Sequence, residues 1–115
     1  MKTQLMKGVI EVYVLTEVQK KQSYGYELLQ NLNKYFQITE STLYPILRRL
    51  EEAEELETYN IIHNGRNRKY YKITNKGINH INEFVNAWYE ILNTLKLIRE
   101  DNPLWIKYIE KLNES

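Results

Sequence analysis

Between Leu5 and Val18 the apolar residues Leu5, Met6, Val9, Ile10, Val12, Val14, Leu15 and Val18 occupy most of the circumference of a helix. A helix that is apolar nearly all round is buried on two sides. The polar break Lys20-Lys21-Gln22-Ser23 predicts a second helix, capped by Ser23, that gathers Leu28, Leu29 and Leu32 on one face and ends near Tyr35 or Phe36. A third helix follows, capped by Thr39 or Ser41. Leu43, Leu47 and Leu50 fall at i, i+4 and i+7 and face inward, while Thr42, Tyr44, Arg48 and Arg49 face outward. Pro45 inside a helix loses a backbone bond and clashes with the preceding turn, which favours the later start at Ser41.

The period then shifts to two. Leu56 to His63 and Arg68 to Thr74 are rich in β-branched and aromatic residues, and Asn64-Gly65 between them suits a turn with positive φ at both positions. A two-residue loop sets Tyr59 against Tyr70, Glu57 against Lys72 and Leu56 against Ile73; a longer loop reaching Arg66 and Asn67 is the alternative. After Thr74, a suitable N-cap, Ile78, Ile81, Val85, Trp88, Leu92 and Leu95 recur at steps of three and four as a coiled-coil seam. Phe84, Ile91 and Ile98 add a second stripe. One short domain covers only one side of this helix, so the other side predicts a second copy of the chain, with the seam residues as the dimerisation set. The expected fold class is mainly α with a β-hairpin wing. A winged helix-turn-helix would occupy 1–74, a long C-terminal dimerisation helix 75–100, and a short tail 101–115, where Leu104 to Ile109 are amphipathic enough for a helix.

Composition narrows the function. The 115-residue chain has room for one domain of modest buried surface, which again points to self-association. It contains no cysteine, and His63 and His80 stand alone, so neither a metal site nor a cofactor is expected. No nucleophile, base and acid recur in a motif, and no enzyme is expected. Lys7, Gly8 and Glu11 interrupt the first apolar stretch, which reads as neither signal peptide nor membrane span; a cytoplasmic protein is expected.

A net charge of +1 argues against a nucleic-acid partner until its distribution is considered. Residues 63–76 hold Arg66, Arg68, Lys69, Lys72 and Lys76 without an acid, whereas residues 51–57 hold Glu51, Glu52, Glu54, Glu55 and Glu57 without a base. The glutamate run reads as a solvated helix end. The third helix, with Thr39, Ser41, Thr42, Tyr44, Arg48 and Arg49, suits the major groove of double-stranded DNA. A hairpin tip bearing Asn64, Arg66 and Arg68 suits the adjacent backbone or minor groove. The competing reading is a winged-helix module that binds a protein partner through exposed aromatics.

Three segments carry a family resemblance: Tyr24-Gly25-Tyr26-Glu27-Leu28; Ser41-Thr42-Leu43-Tyr44-Pro45-Ile46-Leu47-Arg48-Arg49-Leu50-Glu51; and Gly65-Arg66-Asn67-Arg68-Lys69-Tyr70-Tyr71-Lys72-Ile73-Thr74 with Gly77. In this order and spacing they resemble the PadR family of transcriptional regulators. The resemblance implies a homodimer joined through the first and last helices, acting as a repressor on a palindromic operator. It places recognition-helix positions on Ser41, Thr42, Tyr44 and Arg48, and wing positions on Arg66, Arg68 and Lys69. Some small family members bind flat hydrophobic compounds at the dimer interface, which makes a hydrophobic aromatic ligand a candidate partner. The aromatic that lines that pore corresponds to Trp88, with Phe84, Leu92, Glu11 and Leu15 as neighbours, although its place on the seam favours packing between subunits. The family's usual glycine before the first long strand is replaced at Glu55, so the turn there is either strained or different.

Overall fold

The computed structural model describes residues 2–98 and 102–114; Asp101, at the predicted break before the tail, lies outside them. The elements are α1 (Lys2–Lys20), β1 (Ser23–Tyr24), α2 (Gly25–Leu32), α3 (Glu40–Glu52), β2 (Leu56–His63), β3 (Arg66–Ile73), α4 (Asn75–Ile98) and α5 (Pro103–Asn113). Contacts divide the chain into two compact units, Met1–Asn82 and Glu83–Ser115. The first holds the winged helix-turn-helix and the opening turns of α4. The second holds the remainder of α4 and α5.

In the first unit the core joins Val14, Leu15 and Val18 of α1 to Leu28 and Leu32 of α2, then to Ile38, Leu43, Ile46, Leu47 and Leu50 around α3, and closes on Leu56 and Tyr71 of the sheet. Each fully buried leucine contributes about 2 kcal/mol of transfer free energy. The predicted inward stripe of α3 is buried completely, and Ile46 joins it. Leu5, by contrast, is half exposed.

The hairpin follows the two-residue loop. Asn64 and Gly65 take φ 51° and 76°, and every pair from Leu56↔Ile73 to His63↔Arg66 is in the expected register. Thr74 caps α4, its Oγ1 accepting from Gly77 N at 3.2 Å. Three expectations are corrected. Ser23 caps no helix: β3 recruits it into β1 opposite Tyr71, and its buried hydroxyl lies within reach of Lys21 O and Glu27 Oε1. Tyr24 stands at the N-cap of α2 instead.

The second correction concerns α3, which begins at Glu40 after Thr39, so Pro45 lies within the helix rather than in its first turn. The turn before it explains the early start. Asn33 Nδ2 donates to both Leu29 O and Ile38 O at 2.9 Å, and Asn33 Oδ1 accepts from Ile38 N. This clamp delivers Thr39 in an extended conformation, and its carbonyl takes the amides of Thr42 and Leu43.

The third correction moves the strained turn by one residue. Glu54, not Glu55, has the left-handed conformation, at φ 62°. Glu55 N bonds Leu50 O and Glu54 N bonds Glu51 O, the paired bonds of a Schellman end to α3. Just beyond, Thr74 N bonds Glu55 O at 3.1 Å, and a Cβ on Gly77 would lie 2.5 Å from that same oxygen.

Two substitutions test this corner by urea denaturation at one protein concentration. Glu54→Gly is expected to stabilise the protein by about 1 kcal/mol, because glycine adopts positive φ without the Cβ penalty. Gly77→Ala should cost about 2 kcal/mol or more by forcing the carbonyl of Glu55 away from α4. Equal stabilities for the parent and Gly77→Ala would refute the close approach.

Candidate nucleic-acid interface

Burying Leu43, Leu47 and Leu50 forces the opposite side of α3 into solvent, where Ser41, Thr42, Tyr44 and Arg48 are exposed. The Tyr44 ring lies over the start of α2: a Cβ on Gly25 would fall 2.8 Å from Tyr44 Cε1 and 2.9 Å from its hydroxyl. Thr39 Oγ1 and Ser41 Oγ, 2.8 Å apart, share a hydrogen bond at the leading end of the helix. Between this face and the wing runs a groove of about 450 Å³, bounded by Tyr24, Gly25, Tyr44, Arg48, Glu51, Asn67, Arg68, Lys69 and Tyr71. The structure thus brings the predicted positions Tyr44, Arg48, Arg68 and Lys69 together. Asn64 and Arg66 stand at the hairpin tip.

Arg49 turns the other way. Its Nε donates to Glu11 Oε1 at 3.2 Å, and its Nη2 lies 3.1 Å from Glu11 Oε2, too oblique for a second hydrogen bond. The pair ties α3 to α1 beside an apolar groove of about 570 Å³ that includes Met6, Ile10, Pro45 and Ile46. Arg49 is therefore occupied on the flank away from the wing.

The acidic run is largely solvated, as expected from the sequence, but most of its carboxylates also meet cations. Glu51 reaches Lys69 at 2.9 Å, Glu54 reaches Lys76 at 3.2 Å, Glu57 reaches Lys72 at 3.9 Å, and Glu55 bonds His80. These pairs divide the cations around the groove and the wing. Lys69, Lys72 and Lys76 have carboxylate partners, whereas Arg48, Arg66 and Arg68 have none among the described residues. Arg68 instead lies over the Tyr24 ring, 4.4 Å from its centroid, and Tyr24, Tyr70 and Tyr59 continue as an aromatic row across the sheet. A guanidinium on a ring keeps its charge while its orientation is fixed.

The hydrogen bond from Lys69 holds the Glu51 carboxyl below the usual carboxylate range, assisted by the Thr58 hydroxyl. Reciprocally, Glu51 holds the Lys69 ammonium above the usual lysine range. Burial raises the Tyr71 phenol.

The other predicted sets fare differently. Leu15 is fully buried in the core and presents no surface to a ligand, whereas Glu11 is half-buried beside Arg49. Phe84 and Trp88 form a tilted pair with centroids 6.0 Å apart in the second unit. Of the seam, Ile81 packs against the core of the first unit and Ile78 is half-buried. Val85 and Leu92 are exposed, and Trp88 and Leu95 are half-buried. Sequence reasoning missed Asn67 in the groove and the Asn33 clamp. The first lay inside a quoted motif, and the second gave no periodic signal.

Among the described residues no group of three or more His, Asp or Glu could hold a metal ion, and no helix is long and apolar enough to cross a membrane. The sequence profile of the transcriptional regulator PadR-like family matches residues 14–83. An uncharacterised protein of Lysinibacillus sphaericus is 35% identical over 104 residues, covering 86% of this chain and 95% of that relative. Among solved structures, a Streptococcus mutans protein is 41% identical with TM-score 0.70, over 83% of this chain and 90% of the other. A PadR-like transcriptional regulator from Bacillus cereus is 32% identical with TM-score 0.72, over 86% and 99%.

The Glu51–Lys69 pair predicts a pH signature. Its Glu51 part stabilises the fold above the ordinary carboxylate range and is lost as pH falls through the lowered folded value. Its Lys69 part is present below the ordinary lysine range and is lost as pH rises through the raised value. Glu51→Gln should therefore be less stable than the parent near neutrality, by under about 1 kcal/mol for so exposed a pair. The two proteins should converge in acid; a gap that persists at low pH in urea titrations would assign the effect to packing.

Proposed function

This chain belongs to the PadR-like family of transcriptional regulators, whose members bind DNA and are not enzymes, and we propose that it acts as a cytoplasmic homodimer that represses transcription from a palindromic operator. The observation that carries the reading is the groove between α3 and the wing, with Tyr44 and Arg48 on one wall, Asn67 and Arg68 on the other, and beyond it the Arg66 guanidinium, which has no carboxylate partner among the described residues. The exposed face of α3 would enter the major groove while the wing tracks the neighbouring phosphates. Carboxylates neutralise the lysines nearby, so the positive field is left to arginines with planar donor forks. A near-neutral protein can bind DNA on those terms.

The unpartnered apolar surface of the second unit supports the dimer. Val85, Tyr89, Ile91, Leu92, Leu97 and Ile98 are all exposed, and Leu97 is 82% so. A surface of this kind marks an interaction site, and a second α4 offers the complementary stripe. Relief of repression by a hydrophobic aromatic compound is part of the proposal, on the Phe84–Trp88 pair and Leu92, with the fully buried Leu15 set aside.

The deciding experiment is a gel-shift titration at two salt concentrations against DNA upstream of the coding sequence and a random duplex pool. A discrete, salt-sensitive complex that survives nonspecific competitor is expected, with footprints on two half-sites about one helical turn apart. No retardation of either DNA, beside a stable complex with another protein, would replace this reading with a protein-interaction module.

Substitutions sort the arginines. Arg48→Ala, Arg66→Ala and Arg68→Ala should each reduce the slope of log affinity against log salt by about one. Arg49→Ala should leave that slope alone and lower stability through Glu11. Gly25→Ala should weaken operator binding with little change in melting temperature, because its methyl displaces the mobile end of Tyr44 rather than the core.

A further inference from the structure

The outer half of the wing carries a side chain that the fold does not use. Ile62 lies two residues before the turn and is 78% exposed. Its direction follows from the register. Alternation puts Ile62 on the same side of β2 as Leu56, Thr58 and Asn60, and the residues opposite on that side are Asn67, Lys69 and Tyr71 of β3. Thr58 and Lys69 both bond Glu51 of α3, so this side is turned toward α3. Ile62 and Asn67 are therefore directly opposed, one apolar and one amide, and Asn67 borders the groove. No carboxylate occurs in the sequence from Thr58 to Ile73, and the next cross-strand pair outward is His63 with Arg66.

We propose that Ile62 and Asn67 form a minor-groove reading pair that selects A·T over G·C base pairs flanking the sequence contacted by α3. The inference rests on the DNA-binding reading and adds what the wing recognises. The floor of the minor groove presents only acceptors at A·T pairs, whereas G·C adds the protruding guanine amino group. An isoleucine lying against the sugar walls gains apolar contact over A·T and is obstructed by that amino group. The Asn67 amide nitrogen, opposite it, donates to adenine N3 or thymine O2. A narrow A·T minor groove also concentrates negative potential, which draws in the Arg66 guanidinium at the next rung. Apolar wedge and amide donor share the α3-facing side of one rung, while Arg66, on the other side by the same alternation, approaches from the hairpin tip.

The test selects duplexes from a random pool with the full-length protein, with Ile62→Ser and with Asn67→Ala, each first shown by thermal melting to be folded. The parent should enrich A·T at fixed positions outside the half-site core. Replacing those pairs by G·C should weaken binding about tenfold. Inosine·cytosine pairs, which show the minor-groove face of A·T and the major-groove face of G·C, should restore it. Ile62→Ser should lose most of that discrimination and keep the parent's salt slope, since no phosphate contact is removed. Recovery of no duplex at all would overturn the regulator reading and this inference with it. A recovered duplex without flanking A·T preference, an inosine form as weak as G·C, or a preference that Ile62→Ser retains would overturn this inference alone.

Discussion

The arrangement of the first unit turns on one backbone oxygen, that of Glu55. The Schellman end of α3 delivers it, the amide of Thr74 at the end of β3 bonds it, and Gly77 in the first turn of α4 comes so near that a methyl group would not fit. Four elements meet around it: the end of α3, the start of β2, the end of β3 and the start of α4. Flanking side chains brace the same corner, since Thr74 Oγ1 donates to Glu54 O and Glu55 bonds His80. The angle between the exposed face of α3 and the wing is therefore set by main-chain geometry, which tolerates less adjustment than side-chain packing. Left-handed Glu54 is the conformational cost of that corner.

Much of the architecture could be read from the sequence because its signals are local. Asn64-Gly65 encodes a turn within two residues, and the strand pairing follows from it without knowledge of the rest of the fold. The inward leucines of α3 and the cap at Thr74 are likewise written in short windows. What escaped was decided at a distance. Ser23 resembles a helix cap until β3 arrives to pair with it, and Thr39 prevails over Ser41 because Asn33 positions the chain before it. Pro45 misled for the same reason: local sterics disfavour it in a helix, and the packing of Leu43, Ile46 and Leu47 on either side overrides them.

The candidate interface was legible in its residue types but not in their electrostatic state. A count of charges shows a basic segment beside an acidic one, whereas the fold interleaves them through Glu51–Lys69, Glu54–Lys76 and Glu57–Lys72. The residual positive field belongs to Arg48, Arg66 and Arg68. Arg49, adjacent to Arg48 in sequence, points a helical step of 100° away and serves α1 instead. The distinction between neighbouring arginines depends on which side of α3 each occupies.

Pro45 has a dynamic consequence. It has no N–H to offer the carbonyl of Ser41, so the helical ladder of α3 is interrupted near its leading end while its later turns remain complete. Amide protons of the leading turn will exchange with solvent through smaller, more frequent openings than those beyond Leu47. The helix combines an anchored trailing half with a leading turn that can change its backbone dihedrals independently. Two closely related binding sequences could then be met by small readjustments of Ser41 and Thr42, with no repacking of the buried leucines behind them.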